Sequence, residues 1–381
     1  MEKAASGVQQ VLACLLEQTD PVTRPDLAAA CGLSRPTVFS AMDRLEALRI
    51  VEPVGQSTGR PGRSPVLYKV GLGAGLLAAI DIGGSNVRVA LTDVRGRILA
   101  ERREPTAPGG GERIVEQVAA LLDTALQSLD SPRPGLAVLA VSVPGVVGAD
   151  GGTVRYASNI DQPTPFDFKT PLEACTKSTV VLENNVNLAA IGERWQGVAT
   201  DLSTFAVIAV GAGVGAGIMH EGRLIRGAHG AAGEVAFLPP DGRTRRIDTT
   251  AHDEAGGLSL LKVARARPGW TGPPPSTVQE IFERADLGEE PAVALVEEEC
   301  LRVATIVAAV CAVVDPAAVI LTGGVGANDR LISRTEELTA QMTVFPAPVV
   351  RAGLGERASL IGAIRLAALR SRQQLLDTVK E

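Results

Sequence analysis

The sequence contains few of the residues that build metal centres and disulfide frameworks. Its 381 residues include five cysteines and three histidines, and no two cysteines form a C-x-C or C-x-x-C pair. This scatter disfavours both a disulfide scaffold and a cysteine-rich zinc site, and the histidines show no metal-ligand spacing. The sequence therefore predicts a protein with no metal site and no tightly bound cofactor.

Long apolar runs are also absent. The longest mostly apolar stretch, residues 303–314, is too short to cross a bilayer and ends at Asp315-Pro316. No signal-peptide pattern follows Met1. We therefore expect a cytoplasmic protein with no membrane partner.

The chain has no surplus of basic residues. Its net charge of −6 argues against a protein that coats nucleic acids or membranes without specificity. A sequence-specific DNA reader is still compatible with this charge, because a small basic element can sit on an acidic body. The length and the hydrophobic content of 45% predict a globular chain of two or three domains.

The first 50 residues carry the pattern of a helix-turn-helix. Residues 7–18 have apolar positions at helical spacing, and Thr23 can cap a short second helix that runs to about Cys31. Ser34 follows a tight turn and is placed to cap a third helix that runs to roughly Leu48. Its predicted packing residues are Val38, Ala41, Met42, Leu45 and Leu48, and its predicted DNA-facing residues are Ser34, Arg35, Thr37, Ser40 and Arg44.

A predicted wing follows these helices. Two short strands, 50–54 and 66–70, flank the segment 55–65, whose tip at residues 59–65 is rich in glycine, arginine and proline. Arg60 and Arg63 in this tip suit arginines that enter a minor groove. Residues 1–70 hold eight basic and seven acidic side chains, so DNA affinity would depend on where the charges lie.

The remainder of the chain repeats one order of elements. An apolar strand at residues 76–80 runs into the glycine-rich segment 81–86, and two further strands follow. The same order returns at 205–210 and the glycine-rich segment 211–217, which predicts two related α/β lobes that face each other across a cleft. Backbone N–H groups of such loops can approach phosphates; the candidate phosphate-loop residues are Asp81, Gly83, Gly84, Gly213 and Gly215.

A polar cluster lies between a buried strand and a helix. The apolar residues 179–182 lead into Glu183-Asn184-Asn185-Val186-Asn187, and an apolar helical pattern then resumes. The C-terminal end of a buried strand is where α/β proteins place ligands, and amides suit a polyhydroxylated ligand. Glu183 and Asn187 are more typical of a helix cap or a strand tie, whereas Asn184 and Asn185 are the better ligand candidates.

These motifs resemble the ROK family, which groups sugar kinases with sugar-responsive transcription repressors. Residues 81–86 resemble its first phosphate motif, 143–145 its Pro-Gly turn, 211–217 its second phosphate loop and 227–234 its G-E-containing segment. The likeness extends over about residues 77–370. It implies an α/β fold, namely an N-terminal winged helix-turn-helix followed by a two-lobed actin-like, ribonuclease H-like ATPase fold.

The resemblance also implies domain boundaries. We expect a DNA-binding domain at residues 1–70, a linker at 71–76, lobe 1 at 77–195 and lobe 2 at 196–359. The last helix, at about 360–381, is expected to pack back on lobe 1.

The chain departs from the family pattern at two sites. The aspartate that serves the kinases as general base is Asn185 here, and an amide cannot take a proton near neutral pH. The four zinc ligands of the family correspond to Phe237, Arg245, Ile247 and His252, which cannot hold structural zinc. The implied hydroxyl-binding residues that remain are Asn184, Asn185, Glu234 and Glu254.

Simpler readings stand beside these assignments. Glu234 and Glu254 are also compatible with charged loop residues that face solvent. For Glu254 this reading is as good as sugar binding, whereas for Glu234 sugar binding is favoured. We expect Trp195 to pack between the lobes rather than against a sugar.

The sequence thus predicts a DNA-binding transcription regulator, a repressor of carbohydrate-related genes with a sugar-type effector between the lobes and no kinase activity. Its partners would be an operator duplex and a second copy of the chain, as a homodimer or a dimer of dimers. Two alternatives are an ATP-dependent sugar kinase with an accessory DNA-binding domain and a regulator that has lost its effector.

Overall fold

The N-terminal part of the computed structural model is a small helical domain with a three-stranded sheet. The structure describes residues 6–57, 64–130, 135–155, 165–238 and 256–380. The sheet has the strand order β1-β3-β2. The elements of this domain, which we call the head (residues 6–70), are α1 (Gly7–Glu17), β1 (Val22–Thr23), α2 (Arg24–Cys31), α3 (Arg35–Ala47), β2 (Val51–Gln56) and β3 (Val66–Val70).

Side-chain caps fix where the three helices begin. Ser6 and Gln9 form a reciprocal capping box at α1. Thr23 accepts a hydrogen bond from the Asp26 backbone N–H at α2, and Ser34 accepts one from the Thr37 backbone N–H at α3. The two caps predicted from the sequence are therefore confirmed.

The core of the head agrees with the predicted packing at four of five positions. The side chains of Val38, Ala41, Met42 and Leu45 are buried. The prediction for Leu48 is wrong: α3 ends at Ala47, and Leu48 is 44% exposed. The backbone turns at this point, so Leu48 leaves the helical face that packs inward.

The segment between the head and lobe 1 is a packed turn. Residues 71–76 contain a single 3-10 turn, Leu72–Ala74, and lobe 1 begins with Leu76. Gly73 lies against the Arg49 carbonyl, since a Cβ atom there would stand 2.2 Å from that oxygen. The connection is therefore short and in close contact with the head.

Lobe 1 is a five-stranded sheet with helices on its faces. Its strand order is β11-β7-β4-β5-β6, and a second, three-stranded sheet has the order β10-β9-β8. The elements are β4 (Leu76–Ile82), β5 (Asn86–Thr92), β6 (Ile98–Pro105), α4 (Gly111–Gln127), β7 (Leu136–Val143), β8 (Val146–Val147), β9 (Thr153–Arg155), β10 (Phe166–Asp167), α5 (Lys169–Thr176) and β11 (Thr179–Asn184).

Lobe 2 repeats this plan after the connecting helix α6 (Asn185–Gln196). Its sheet has the order β14-β13-β12-β15-β16, an antiparallel meander extended by two parallel strands as in lobe 1. The predicted internal repeat is confirmed. The elements are β12 (Phe205–Val210), β13 (Val214–His220), β14 (Arg223–Ile225), α7 (Gly257–Ala266), α8 (Val278–Asp286), α9 (Glu290–Val314), β15 (Val319–Thr322), α10 (Gly323–Gly326), α11 (Asp329–Met342) and β16 (Val349–Arg351).

The last helix, α12 (Ala358–Thr378), returns to lobe 1 and crosses α6 at very short range. A Cβ atom on Gly362 would lie 1.8 Å from the Leu188 carbonyl oxygen, and one on Gly192 would lie 2.4 Å from the Ala358 carbonyl oxygen. Only glycine permits this approach of two backbones.

The far end of α12 holds the head. The Gln9 side-chain amide donates to the Leu376 carbonyl at 2.9 Å, and Arg372 pairs with Glu17 at 2.9 Å. Arg95 of lobe 1 adds hydrogen bonds to two carbonyls at the end of α1. One continuous apolar cluster joins the core of the head to α12 and lobe 1. In the described ranges, no helix has the length and apolar character needed to cross a membrane.

The α6–α12 crossing yields a stability prediction. Gly362→Ala places a methyl group inside the Leu188 backbone, so the helices must separate, at a cost of about 1–3 kcal/mol or more in unfolding free energy. Chemical denaturation of Gly362→Ala and Gly135→Ala measures this, because Gly135 has no atom within 4 Å of an added Cβ. Equal unfolding midpoints for the two variants would contradict the crossing.

Candidate functional site

A cavity of about 720 Å³ lies between the two lobes. Lobe 1 contributes its Pro-Gly turn and the start of α6, and lobe 2 contributes two glycine-rich loops and the segment that leads into α12. The lining residues used below are Gly145, Asn184, Asn185, Gly213, Gly215, Glu234, Glu356 and Ser359.

Asn184 lines the cavity, but its side chain has a structural role. Its Oδ1 accepts hydrogen bonds from the backbone N–H groups of Val186 at 2.8 Å and Asn187 at 3.2 Å, which caps α6. Its Nδ2 donates to the Gly145 carbonyl at 2.9 Å. Asn184 therefore fixes the start of α6 against the Pro-Gly turn.

Asn185 presents its amide to the cavity. The side chain is half-buried, and no side chain or backbone group in the described residues hydrogen-bonds to it. Its backbone carbonyl accepts a hydrogen bond from the Ser359 hydroxyl of α12 at 3.0 Å. Asn185 thus offers a donor and an acceptor to a ligand while its backbone is held.

Glu183 and Asn187 form a buried tie that reaches across the lobes. The Glu183 carboxylate accepts from Asn187 Nδ2 at 2.9 Å and from Arg226 Nε of lobe 2 at 2.6 Å. The Glu183 side chain is 6% exposed and that of Arg226 is 52% exposed. These contacts agree with the structural role favoured for Glu183 and Asn187 from the sequence.

Residues 226–234, the cross-lobe segment, connect this tie to the cavity. Gly230 lies on β8 of lobe 1, where a Cβ atom would stand 2.2 Å from the Val147 carbonyl oxygen. The Gly233 carbonyl accepts a hydrogen bond from the Ala216 N–H of lobe 2 at 2.8 Å. The segment ends at Glu234, which lines the cavity, and burial raises the pKa of its carboxyl.

The candidate phosphate-loop residues divide into two groups. Gly213 and Gly215 line the cavity, whereas Asp81, Gly83 and Gly84 are not among its lining residues. Asp81 accepts a hydrogen bond from the Ser142 hydroxyl at 2.7 Å, and burial raises the pKa of its carboxyl. Gly83 and Gly84 form the tight turn between β4 and β5.

An arginine of lobe 1 is paired with Glu356, which lines the cavity. Arg88, the register partner of Asp81, donates to the Glu356 carbonyl at 2.6 Å and to its carboxylate at 2.7 Å. Arg88 is 9% exposed, so its charge is largely committed to this contact.

The described residues contain no group of three or more histidine, cysteine or acidic side chains that could hold a metal ion. Phe237, at the first zinc-ligand position, ends a 3-10 turn and is 39% exposed. Arg245, Ile247, His252 and the proposed sugar contact Glu254 lie outside the described residues.

Trp195 lies away from the cleft, against lobe 1 and α12. Its ring approaches Gly96 of the β5–β6 turn, and the Arg365 guanidinium lies 5.5 Å from the ring centre. The prediction that Trp195 packs between the lobes is wrong.

The outer face of α3 is the candidate nucleic-acid interface. The side chains of Ser34, Arg35, Thr37, Ser40 and Arg44 are all exposed. Ser34 is occupied as the helix cap and also hydrogen-bonds the Thr37 hydroxyl at 2.8 Å. Arg35 and Arg44 form no ion pair with any described residue, so both guanidinium groups are available to phosphates or bases. Arg60 and Arg63 fall outside the described residues.

A feature beside this face was missed from the sequence. The Arg24 guanidinium lies 5.5 Å from the Phe39 ring centre and 5.0 Å from the Tyr68 ring centre. Its nitrogens pair with Asp43 at 2.6 Å and Glu46 at 3.0 Å. The only sequence signal was an aromatic residue at an outward position of α3.

Known proteins similar to this chain include both repressors and kinases. A xylose repressor from Caldicellulosiruptor bescii is 28% identical over 216 residues, which cover 56% of this chain and 54% of that protein. The chain thus matches about half the length of this repressor. A glucokinase from Halalkalibacterium halodurans is 26% identical over 302 residues, 74% of this chain and 90% of that protein.

The structural comparison covers the whole chain. The crystal structure of a ROK family transcriptional regulator, described as a homolog of the E. coli MLC protein, matches with a TM-score of 0.76. The identity is 18%, and the match covers 99% of this chain and 100% of the other, so it establishes the shared fold.

Family models assign both parts of the chain. The IclR helix-turn-helix domain model matches residues 9–55, within the head. The ROK family model matches residues 77–370, which include both lobes and most of α12. The chain belongs to the ROK family.

Proposed function

We propose that this protein is a sequence-specific DNA-binding transcription regulator that represses carbohydrate-related genes and binds a sugar-type effector in the cleft. One observation carries the proposal: α12 lines the cleft with its first turn and holds the DNA-binding head with its last turns. A ligand site and a DNA-reading helix are thus attached to the same rigid element.

The cleft supports binding better than phosphoryl transfer. A sugar kinase needs a base within hydrogen-bond reach of the attacking hydroxyl, and Asn185 has no proton affinity near neutral pH. The amide of Asn185 and the carboxyl of Glu234 can instead pair with sugar hydroxyls. We propose that the cleft has no kinase activity, and the similarity to a glucokinase makes the kinase the rival to exclude.

The effector would act by favouring one arrangement of the lobes. The Arg226–Glu183 pair and the contact of Gly230 with β8 join the two lobes. A ligand that binds more tightly to this arrangement, or to a more open one, shifts the population by its difference in affinity. The head would follow, because α12 moves with α6.

A homodimer is the assembly that suits this function. Two heads can then read a palindromic operator with half-sites one or two helical turns apart. A regulator that acts on chromosomal DNA works in the cytoplasm.

The first test separates a regulator from a kinase and from a regulator without an effector. A thermal-shift screen of sugars, sugar phosphates and nucleotides should reveal a sugar that raises the unfolding midpoint of the wild type, because a ligand stabilises the state that it binds. Asn185→Ala should reduce that shift, and Ser40→Ala, on the head, should not. Phosphorylation of any hexose by the wild type with ATP above background would contradict the proposal, and the absence of any sugar shift would favour lost effector binding.

The second prediction concerns the charge of Glu234. Because the pKa of Glu234 is raised in the folded protein, its protonated carboxyl contributes to stability. This contribution is complete below the ordinary glutamate pKa of about 4.3 and is lost as pH rises through the raised pKa. Glu234→Gln removes the cost of the ionised form. Its unfolding midpoint relative to the wild type should therefore rise from pH 5 to pH 8.

Glu297→Gln is the control for this pH dependence. A hydrogen bond from Arg334 lowers the pKa of Glu297, so its stabilisation is present at pH 8. Glu297→Gln should lose stability at pH 8, opposite in sign to Glu234→Gln. A Glu234→Gln difference that does not vary with pH would show that this carboxyl is well solvated.

The third prediction concerns the wing. Arg60→Ala with Arg63→Ala should weaken operator binding and reduce the slope of log K against log salt by about 0.9 for each phosphate that is no longer neutralised. Arg113→Ala with Arg155→Ala removes the same charge from the surface of lobe 1 and should leave the slope unchanged. Fluorescence anisotropy over a salt series measures both, and an unaltered slope in the wing variant would exclude the wing from the interface.

A further inference from the structure

Phe39 is an exposed aromatic side chain on the helix proposed to read DNA. The Phe39 side chain is 39% exposed. Apart from Pro36 and Ala47, the other apolar residues of α3 are buried, namely Val38, Ala41, Met42 and Leu45. Phe39 lies one residue before Ser40 and one helical turn after Arg35, and both neighbours are exposed. The head therefore leaves a large apolar group among the polar residues of its candidate DNA face.

The ring of Phe39 is held in place from one side. The Arg24 guanidinium stacks 5.5 Å from its centre, and Arg24 is itself fixed by Tyr68, Asp43 and Glu46. The Arg24 side chain is 15% exposed, so this support is mostly buried. An ordered ring with a free outer surface loses little conformational entropy when it contacts a partner.

The chemistry of the major groove offers one apolar group to such a ring. Adenine, guanine and cytosine present hydrogen-bond donors and acceptors there, and thymine adds its C5-methyl group. A recognition helix places its outward residues against these base edges. Phe39 has no hydrogen-bonding atom in its side chain, so the methyl group is the feature that it can distinguish.

We propose that Phe39 is a specificity-determining residue that packs against the C5-methyl group of a thymine in each operator half-site. This inference rests on the proposed DNA-binding function. Arg24 acts as a positioning residue, because it orients the ring and contacts Phe39 rather than the base.

The test uses the full chain and removes the methyl group alone. Wild-type protein first selects its preferred duplex from a random library. Each thymine of that duplex is then replaced, one position at a time, by deoxyuridine, and affinities are measured by fluorescence anisotropy. Deoxyuridine at one position of each half-site should weaken wild-type binding by about fourfold. This factor corresponds to the loss of one buried methyl group, which contributes about 0.8 kcal/mol.

The variants connect that position to Phe39. Phe39→Ala should bind the thymine duplex more weakly than the wild type, and deoxyuridine at the sensitive position should cost it nothing more. Phe39→Leu keeps an apolar side chain and should retain part of the discrimination. Leu48→Ala removes a comparably exposed apolar group beyond the end of α3 and should keep the full wild-type response.

Three results would overturn the proposal. They are a wild type that is insensitive to deoxyuridine at every position, a Phe39→Ala protein with the wild-type thymine preference, and a Phe39→Ala protein whose only defects are a lower unfolding midpoint and uniformly weaker binding. The last would assign Phe39 to packing with Arg24. Failure of the wild type to select any duplex would instead remove the DNA-binding function itself, and the role of Phe39 with it.

Discussion

The close crossing of α6 and α12 is the constraint on which most of the molecule depends. Gly192 and Gly362 let the two backbones meet without intervening side chains, and no other residue type fits at either position. The crossing holds α6, whose first turn forms one wall of the cleft. It also sets the direction of α12, and hence the place of the head. A single steric requirement thus positions the cleft and the helix proposed to read DNA together.

Buried carboxylates fasten the other elements to this pair of helices. Glu193 of α6 is fully buried and accepts hydrogen bonds from the backbone N–H groups of Val198, Gly353 and Leu354 at 2.9 to 3.2 Å. These bonds satisfy the buried charge and fix the segment that leads into α12. Glu183 does the same for the cross-lobe segment through Arg226. Hydrogen bonds and an ion pair to buried carboxylates therefore hold the segments around the cleft in place.

Much of this fold could be predicted from local sequence patterns. Ser34 and Thr23 act as caps, and the glycine-rich loops recur after the strands of both lobes. Helix α9 begins at Glu290, and Pro291 in its first turn is a local start signal for it. The last helix was expected from about residue 360 and starts at Ala358.

The parts that escaped prediction depend on contacts distant in sequence. Asn184 looked like a ligand contact, but its Oδ1 caps α6 and its Nδ2 donates to Gly145, 39 positions away, which the local sequence does not show. The tie between Glu183 and Arg226 joins residues that are 43 positions apart. Leu48 has the periodicity of a core residue, yet the turn after Ala47 moves it outward. The contact of the exposed Phe39 ring with Arg24 joins two different helices.

The position of α12 in the chain has a consequence for protein synthesis. The head is made before the lobes, whereas the helix that holds it follows all of lobe 2, so the ribosome must complete both lobes before α12 can reach the head. Until then the head can contact lobe 1 through Arg95, but it lacks its hydrogen bond and its ion pair with α12. A nascent or truncated chain would carry a DNA-reading helix without its final orientation. The head thereby gains its contacts with α12 only in chains whose two lobes are complete.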